Sequence, residues 1–194
     1  MVQEDTIIAY TDGGSRGNPG PAGFGVRIES ADGTPIAELQ ESLGIATNNV
    51  AEYRGLLAAL AWALDHGYRR VHVRSDSQLL VRQMLGEYRV KNPGLQILHR
   101  EARDLAGRFE RVRFEYVPRD RNADADRLAN RAMDEAAARS VDAADADAAA
   151  RASRGREEAT ESVPPNGGAG RSKPPQDRLP FDDPLPDNPA RSKK

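Results

Sequence analysis

The sequence predicts an α/β fold, a five-stranded mixed sheet flanked by helices in the order β-β-β-α-β-α-α-β-α. Three observations carry that expectation. Apolar runs divided by turn residues open the chain, a long segment of helical periodicity follows them, and strand-like and helical segments alternate thereafter. An antiparallel meander followed by parallel crossovers is the arrangement this order favours.

The first three strands are expected at about 5–12, 22–30 and 34–44, divided by the turn signals "GNPGP" and "ADGT". In "TNNVAEYRGLLAALAWALDHG", Tyr53, Leu56, Leu57, Leu60 and Leu64 recur at helical spacing. Asn49 with Glu52 resembles a capping box that starts this helix, and Gly67 is a natural stop. "RRVHVRSD" (69–76) alternates as a strand, and "SQLLVRQMLG" reads as a short helix. A further helix is expected over about 94–107, a strand over 111–117 and a last helix from near Asn122.

Composition changes near residue 140. Eight of the thirteen prolines lie beyond it, with Phe181 as the only aromatic there, so that stretch lacks the apolar area to offset its ordering entropy. The expected organisation is a folded unit over 1–139 and a disordered Ala/Pro-rich charged tail or linker over 140–194. The formal net charge of −2 hides an asymmetry. Residues 1–65 carry three Lys/Arg against nine Asp/Glu, and residues 66–121 carry thirteen against seven, which suits a carboxylate site beside a surface that meets phosphates. The absence of cysteine excludes disulfides and thiolate metal sites and favours a cytoplasmic location. No basic, apolar leader or membrane span is visible, so no membrane partner is expected.

Four carboxylates stand in unusual places. Asp12 closes an apolar strand and shares a face with Ile8 and Tyr10, and Asp76 closes the fourth strand on the face of His72 and Arg74. If those strands are parallel neighbours, the two aspartates meet at the carboxyl edge of the sheet, where α/β ligand sites lie. Glu52 flanks the apolar stripe of its helix, and Asp126 sits beside the inward-facing Ala125 and Leu128. Each has a structural explanation on its own, as a turn residue, a cap or a first-turn acid. Four carboxylates in one crevice would repel one another without a cation, and oxygen-only ligation points to Mg²⁺ or Mn²⁺ rather than zinc. Two such ions form a clamp for displacement at phosphorus.

The segments "YTDGGSRGNPGPAGFGV", "TNNVAEYRGLLAAL", "SDSQLLV" and "RNADADRLANRA", in this order, resemble the four signatures of the type 1 ribonuclease H (ribonuclease HI) family. The resemblance covers about residues 5–137. It implies a ribonuclease H-like fold and hydrolysis of the RNA strand of RNA–DNA hybrids with two Mg²⁺ ions, Mn²⁺ substituting, by a monomer. It places the catalytic, metal-binding carboxylates on Asp12, Glu52, Asp76 and Asp126, with Asp12 bridging both ions. It also makes Gly14, Ser15, Asn18, Asn48, Asn49 and Gln78 minor-groove contacts, and Thr47 and Asn92 holders of a DNA-strand phosphate. A glycine-lined backbone suits close approach to 2′-hydroxyls.

Three departures mark a compact subgroup. The segment "VPRDRNADAD" has no histidine before the last aspartate, leaving Arg119, Asp120, Arg121 and Asp124 as alternatives for its role. The basic protrusion that grips hybrids in some relatives is missing between Met84 and Leu95, with Arg82, Arg89, Lys91, Arg100 and Arg103 as partial compensation. Ile45 stands where an arginine is often found. These departures make double-stranded RNA an additional candidate substrate. The competing readings are another nuclease on the same fold and a catalytically silent nucleic-acid-binding module, the latter disfavoured by the presence of all four carboxylates. A phosphate-binding P-loop does not fit, since its Gly-Lys-Ser/Thr pattern is missing.

Overall fold

The computed structural model describes residues 6–161, and side chains as far as residue 146. Five strands form one sheet: β1 (Thr6–Ser15), β2 (Gly20–Ser30), β3 (Pro35–Ala46), β4 (Arg70–Ser75) and β5 (Arg111–Tyr116). The helices are α1 (Asn48–Asp65), α2 (Gln78–Met84), α3 (Pro93–Ala106) and α4 (Ala123–Glu161), with a 3₁₀ turn at Arg119–Arg121 before α4. The element order is the expected one.

The strands lie in the order β3-β2-β1-β4-β5. β1–β2 and β2–β3 pair antiparallel, as their short connections require, and β1–β4 and β4–β5 pair parallel across helical crossovers. β1 does not stop at Asp12. The parallel ladder ends at Thr11–Ser75, but β1 continues to Ser15 against β2, because the antiparallel partner supplies hydrogen bonds after β4 has turned away. Asp12 and Asp76 are therefore each one residue beyond the last parallel pair.

α1 buries Leu56, Leu57 and Leu60 against Ile7, Ala9, Val71 and Val73 on one face of the sheet. Each fully buried leucine of this kind stabilises the fold by about 1.5–3 kcal/mol. α1 begins two residues earlier than the sequence expectation. Its N-cap is Thr47, whose hydroxyl accepts the Val50 N–H at 3.4 Å, so Asn49 and Glu52 do not form a capping box. An N-cap threonine two residues upstream satisfies the first-turn donor and frees the Glu52 side chain. Gly67, at φ +77°, does terminate the helix region.

α4 packs on the opposite face, and glycines fix how close both helices come. A Cβ added at Gly13 would lie 2.3 Å from the Ala51 carbonyl carbon of α1. One added at Gly25, the cross-strand partner of Asp12, would lie 2.3 Å from the Ala125 carbonyl oxygen of α4. The first turns of α1 and α4 therefore press on β1 and β2 from two sides at the level of Asp12.

α4 continues past residue 139 to Glu161, so the boundary expected at 139/140 falls within a helix. The alanine-rich sequence there has high intrinsic helix propensity. Residues up to Arg154 belong to one compact unit; of a second unit, beginning at Gly155, the described part is the end of α4. The tail expected over 162–194 lies outside the described residues. Among the described residues no helix is long and apolar enough to cross a membrane.

Candidate active site

Asp12, Glu52, Asp76 and Asp126 line one open cleft of about 550 Å³, together with Gly14, Ser15 and Asn48. β1 and β4 deliver the two aspartates in register at the carboxyl edge of the parallel ladder. α1 delivers Glu52, just past its first turn, and the first turn of α4 delivers Asp126, from either face of the sheet.

The carboxylates act on each other. Burial, then the charges of Asp76 and Asp126, push the Asp12 carboxyl up from 3.8 to about 6. Burial, then the charges of Asp12 and Asp76, push Glu52 well above its ordinary value of 4.5, outweighing the polar side chains of Ser77 and Asn48. Glu52 is 7% exposed, and its Oε2 is buried with no hydrogen-bond partner. A buried, orphaned acceptor among like charges is the electrostatic signature of a place for a cation.

Three neighbouring groups occupy Asp76 and Asp126. Asn122, fully buried, donates from Nδ2 to Asp76 Oδ1 at 2.8 Å and to the Thr11 carbonyl at 3.1 Å. Arg119 pairs with Asp126 Oδ1, while Asn130 donates to Asp126 Oδ2 at 3.0 Å. As the side chains lie, no three His, Cys, Asp or Glu groups among the described residues form a closed metal cage. The donors nevertheless suit a hard cation, being carboxylate oxygens on rigid elements with one acceptor atom unsatisfied.

The other expected contacts divide in two. Gly14, Ser15 and Asn48 line the cleft; Asn18, Thr47, Asn49, Gln78 and Asn92 do not. Asn18 Oδ1 accepts the Asn48 N–H at 3.2 Å, tying the β1–β2 loop to the start of α1. Thr47 and Asn92 cap α1 and α3, with Asn92 Oδ1 accepting the Leu95 N–H at 3.1 Å. Asn49 and Gln78 are exposed in the first turns of α1 and α2. Of the four alternatives for the missing histidine, Arg119 enters the cleft, whereas Asp120, Arg121 and Asp124 line a separate cavity beside Tyr10 and Arg27. Sequence reasoning missed Asn122 and Asn130. Asn130 lies four residues after Asp126 on one helix face, a spacing that would have revealed it.

A family model described as reverse transcriptase-like matches residues 10–132. The bifunctional protein Rv2228c of Mycobacterium tuberculosis is 54% identical over 144 residues, covering 74% of this chain and 39% of that protein. The chain thus spans about two fifths of the length of the first relatives it matches. The solved N-terminal ribonuclease H domain of that protein superposes with a TM-score of 0.68 at 51% identity, covering 70% of this chain and 98% of the other. Ribonuclease HI of Halobacterium salinarum is 45% identical over 139 residues, 70% of each chain. LC11-RNase H1, solved in complex with an RNA/DNA hybrid, gives a TM-score of 0.64 at 44% identity over 67% of this chain and 98% of that one.

Proposed function

Because this chain belongs to the ribonuclease HI family, we propose that it is a ribonuclease H that hydrolyses the RNA strand of RNA–DNA hybrids, leaving 5′-phosphate and 3′-hydroxyl ends. The observation that carries the proposal is the convergence of Asp12, Glu52, Asp76 and Asp126 on one cleft, with the Glu52 Oε2 buried and unpaired.

The residues fit a pair of divalent cations, Mg²⁺ with Mn²⁺ as a substitute. Asp12 would be shared, with Glu52, Asp76 and Asp126 completing the ligands. When bound, such ions supply the Lewis acidity that activates a water towards phosphorus and offsets charge on the departing 3′ oxygen.

The chain's own residues do the positioning. Asn122 holds the Asp76 carboxylate against Thr11 of β1, so both aspartates keep the spacing of the sheet. Arg119 carries positive charge at the mouth of the cleft, paired with Asp126 and acting on Asp12 and Asp76. With Asp126 serving as a cation ligand, that guanidinium would be free to hold a phosphate oxygen of the substrate. Gly14, Ser15 and Asn48 form the wall along which a minor groove would pass, with Asn18, Asn49 and Gln78 further along it and Thr47 and Asn92 at the second strand. The working form is a cytoplasmic monomer.

The test is cleavage of end-labelled RNA–DNA hybrid, double-stranded RNA and single-stranded RNA side by side with Mg²⁺, with Mn²⁺ and with EDTA. Cation-dependent cutting of the hybrid's RNA strand supports the reading. Cutting of double-stranded RNA at a similar rate would broaden the substrate, and no cleavage of either duplex would overturn it.

A further inference from the structure

The face of the sheet that carries Asp12 is covered by α4 over β1 and β2, but its other half is open. There the in-register strands β4 and β5 place Arg70 opposite Arg111 and His72 opposite Arg113. These residues, with Thr6 and Glu110, line an open groove of about 560 Å³. Arg70, Arg111 and Arg113 are exposed.

Like charges directly opposite on neighbouring strands destabilise a sheet. Elsewhere this sheet pairs its charges with the opposite sign. Arg27 meets its cross-strand partner Glu38 at 2.7 Å, and Arg74 meets Glu115 at 3.1 Å. Two carboxylates offset the cluster in part: Glu110, shared between Arg69 and Arg70, and Glu115, which lies 2.7 Å from His72 Nε2 and acts on Arg113 through its charge. Among the described residues Arg111 and Arg113 form no ion pair. Burial, then Arg74, holds His72 below its ordinary range, so the arginines supply the charge at neutral pH.

We propose that this open half-face is an exosite for the phosphate backbone of nucleic acid flanking the segment held in the cleft. Guanidinium forks match phosphate oxygens in pairs, and a ligand that brings negative charge relieves the repulsion built into the ladder. The groove begins at the amino end of β4, whose six residues span about 20 Å to Asp76, so only a substrate longer than the cleft itself reaches it. The choice of a nucleic-acid backbone over another polyanion rests on the ribonuclease reading above.

The test is the Arg111→Gln/Arg113→Gln double variant of the full chain, with Arg139→Gln on α4 as a charge control. Binding of a long and a short hybrid is measured without divalent cations across a salt series. For the long hybrid the slope of log affinity against log salt should fall by about 1.8, at about 0.9 per lost phosphate contact, while the short hybrid's slope and its cleavage rate stay unchanged. The same variant should melt at a higher temperature, since like charges are removed; a merely structural patch would melt lower. An unchanged slope for the long hybrid, or an equal change for the short one, overturns the exosite. Wild-type protein that binds hybrid but cuts none would instead remove the ribonuclease reading and leave this test standing.

Discussion

Asn122 reaches Asp76 across 46 residues of sequence, its amide donating to the carboxylate at 2.8 Å while it also holds the Thr11 carbonyl. One buried side chain thereby ties β1 at the close of its parallel ladder, the end of β4 and the start of α4 into a single rim. Asn122→Ala leaves both acceptors without that donor. It should lower stability by about 1–3 kcal/mol and reduce kcat by about 10–100-fold. Thermal melts and steady-state kinetics check this, and a drop in stability with unaltered kcat would argue against a positioning role.

Asp12→Asn should abolish cleavage, leave hybrid binding intact and stabilise the cation-free protein. The folded-state pKa is raised, from 3.8 to about 6, so wild-type stability from this group is fully present below pH 3.8 and lost as pH rises through about 6. The asparagine does not ionise and escapes that loss. In EDTA the variant should be more stable by about 1–3 kcal/mol at pH 7.5, with the gap closing towards pH 4. Melting curves at the two pH values test the sign.

Mg²⁺ should raise the melting temperature of the wild type and barely affect Asp12→Asn, since binding to the folded state alone adds stability by mass action. The wild-type response should weaken as pH falls through about 6, because protons then compete for Asp12. A shift that is equal in both proteins would place the cation elsewhere.

Arg119→Ala removes an exposed ion pair with Asp126 and should change stability by less than about 1 kcal/mol. It should tighten Mg²⁺ binding, by removing the competing cation, while lowering kcat, with Arg119→Lys recovering part of the rate. Calorimetric titration together with kinetics separates the two effects.

Gly25→Ala forces a methyl group against the Ala125 carbonyl of α4. Overpacking of this kind costs about 1–3 kcal/mol or more. Because α4 carries Asp126, kcat should fall with stability, whereas Gly33→Ala, in a turn where a Cβ meets nothing within 4 Å, should lower stability through its φ of +86° without touching kcat.

The element order and the two aspartates at the sheet edge were legible because periodicity in strands and helices is written in the local sequence. The end of β1 was not. Whether Asp12 ends the strand depends on β2, which keeps pairing to Ser15 after β4 has left, and that is a property of the sheet rather than of the segment. The α1 cap was misplaced because Thr47 and Asn49 both suit an N-cap, and only the Val50 N–H decides between them. Glu52 could be read as a flanking acid from its spacing to Leu56, but its orphaned Oε2 is created by packing. Asn122 marked the start of the last helix in the sequence; its bonds to Asp76 and Thr11 join segments far apart in the chain, and no local pattern announces them.

The proposed chemistry requires acidic groups from four separate elements to share divalent cations in this cleft. Anomalous diffraction from crystals soaked in Mn²⁺ tests it most directly. Two peaks are expected between Asp12, Glu52, Asp76 and Asp126, with Asp12 touching both and the Arg119 guanidinium moved off Asp126. Crystals in which Mn²⁺ binds only outside the cleft, leaving the Arg119–Asp126 pair in place, would contradict it.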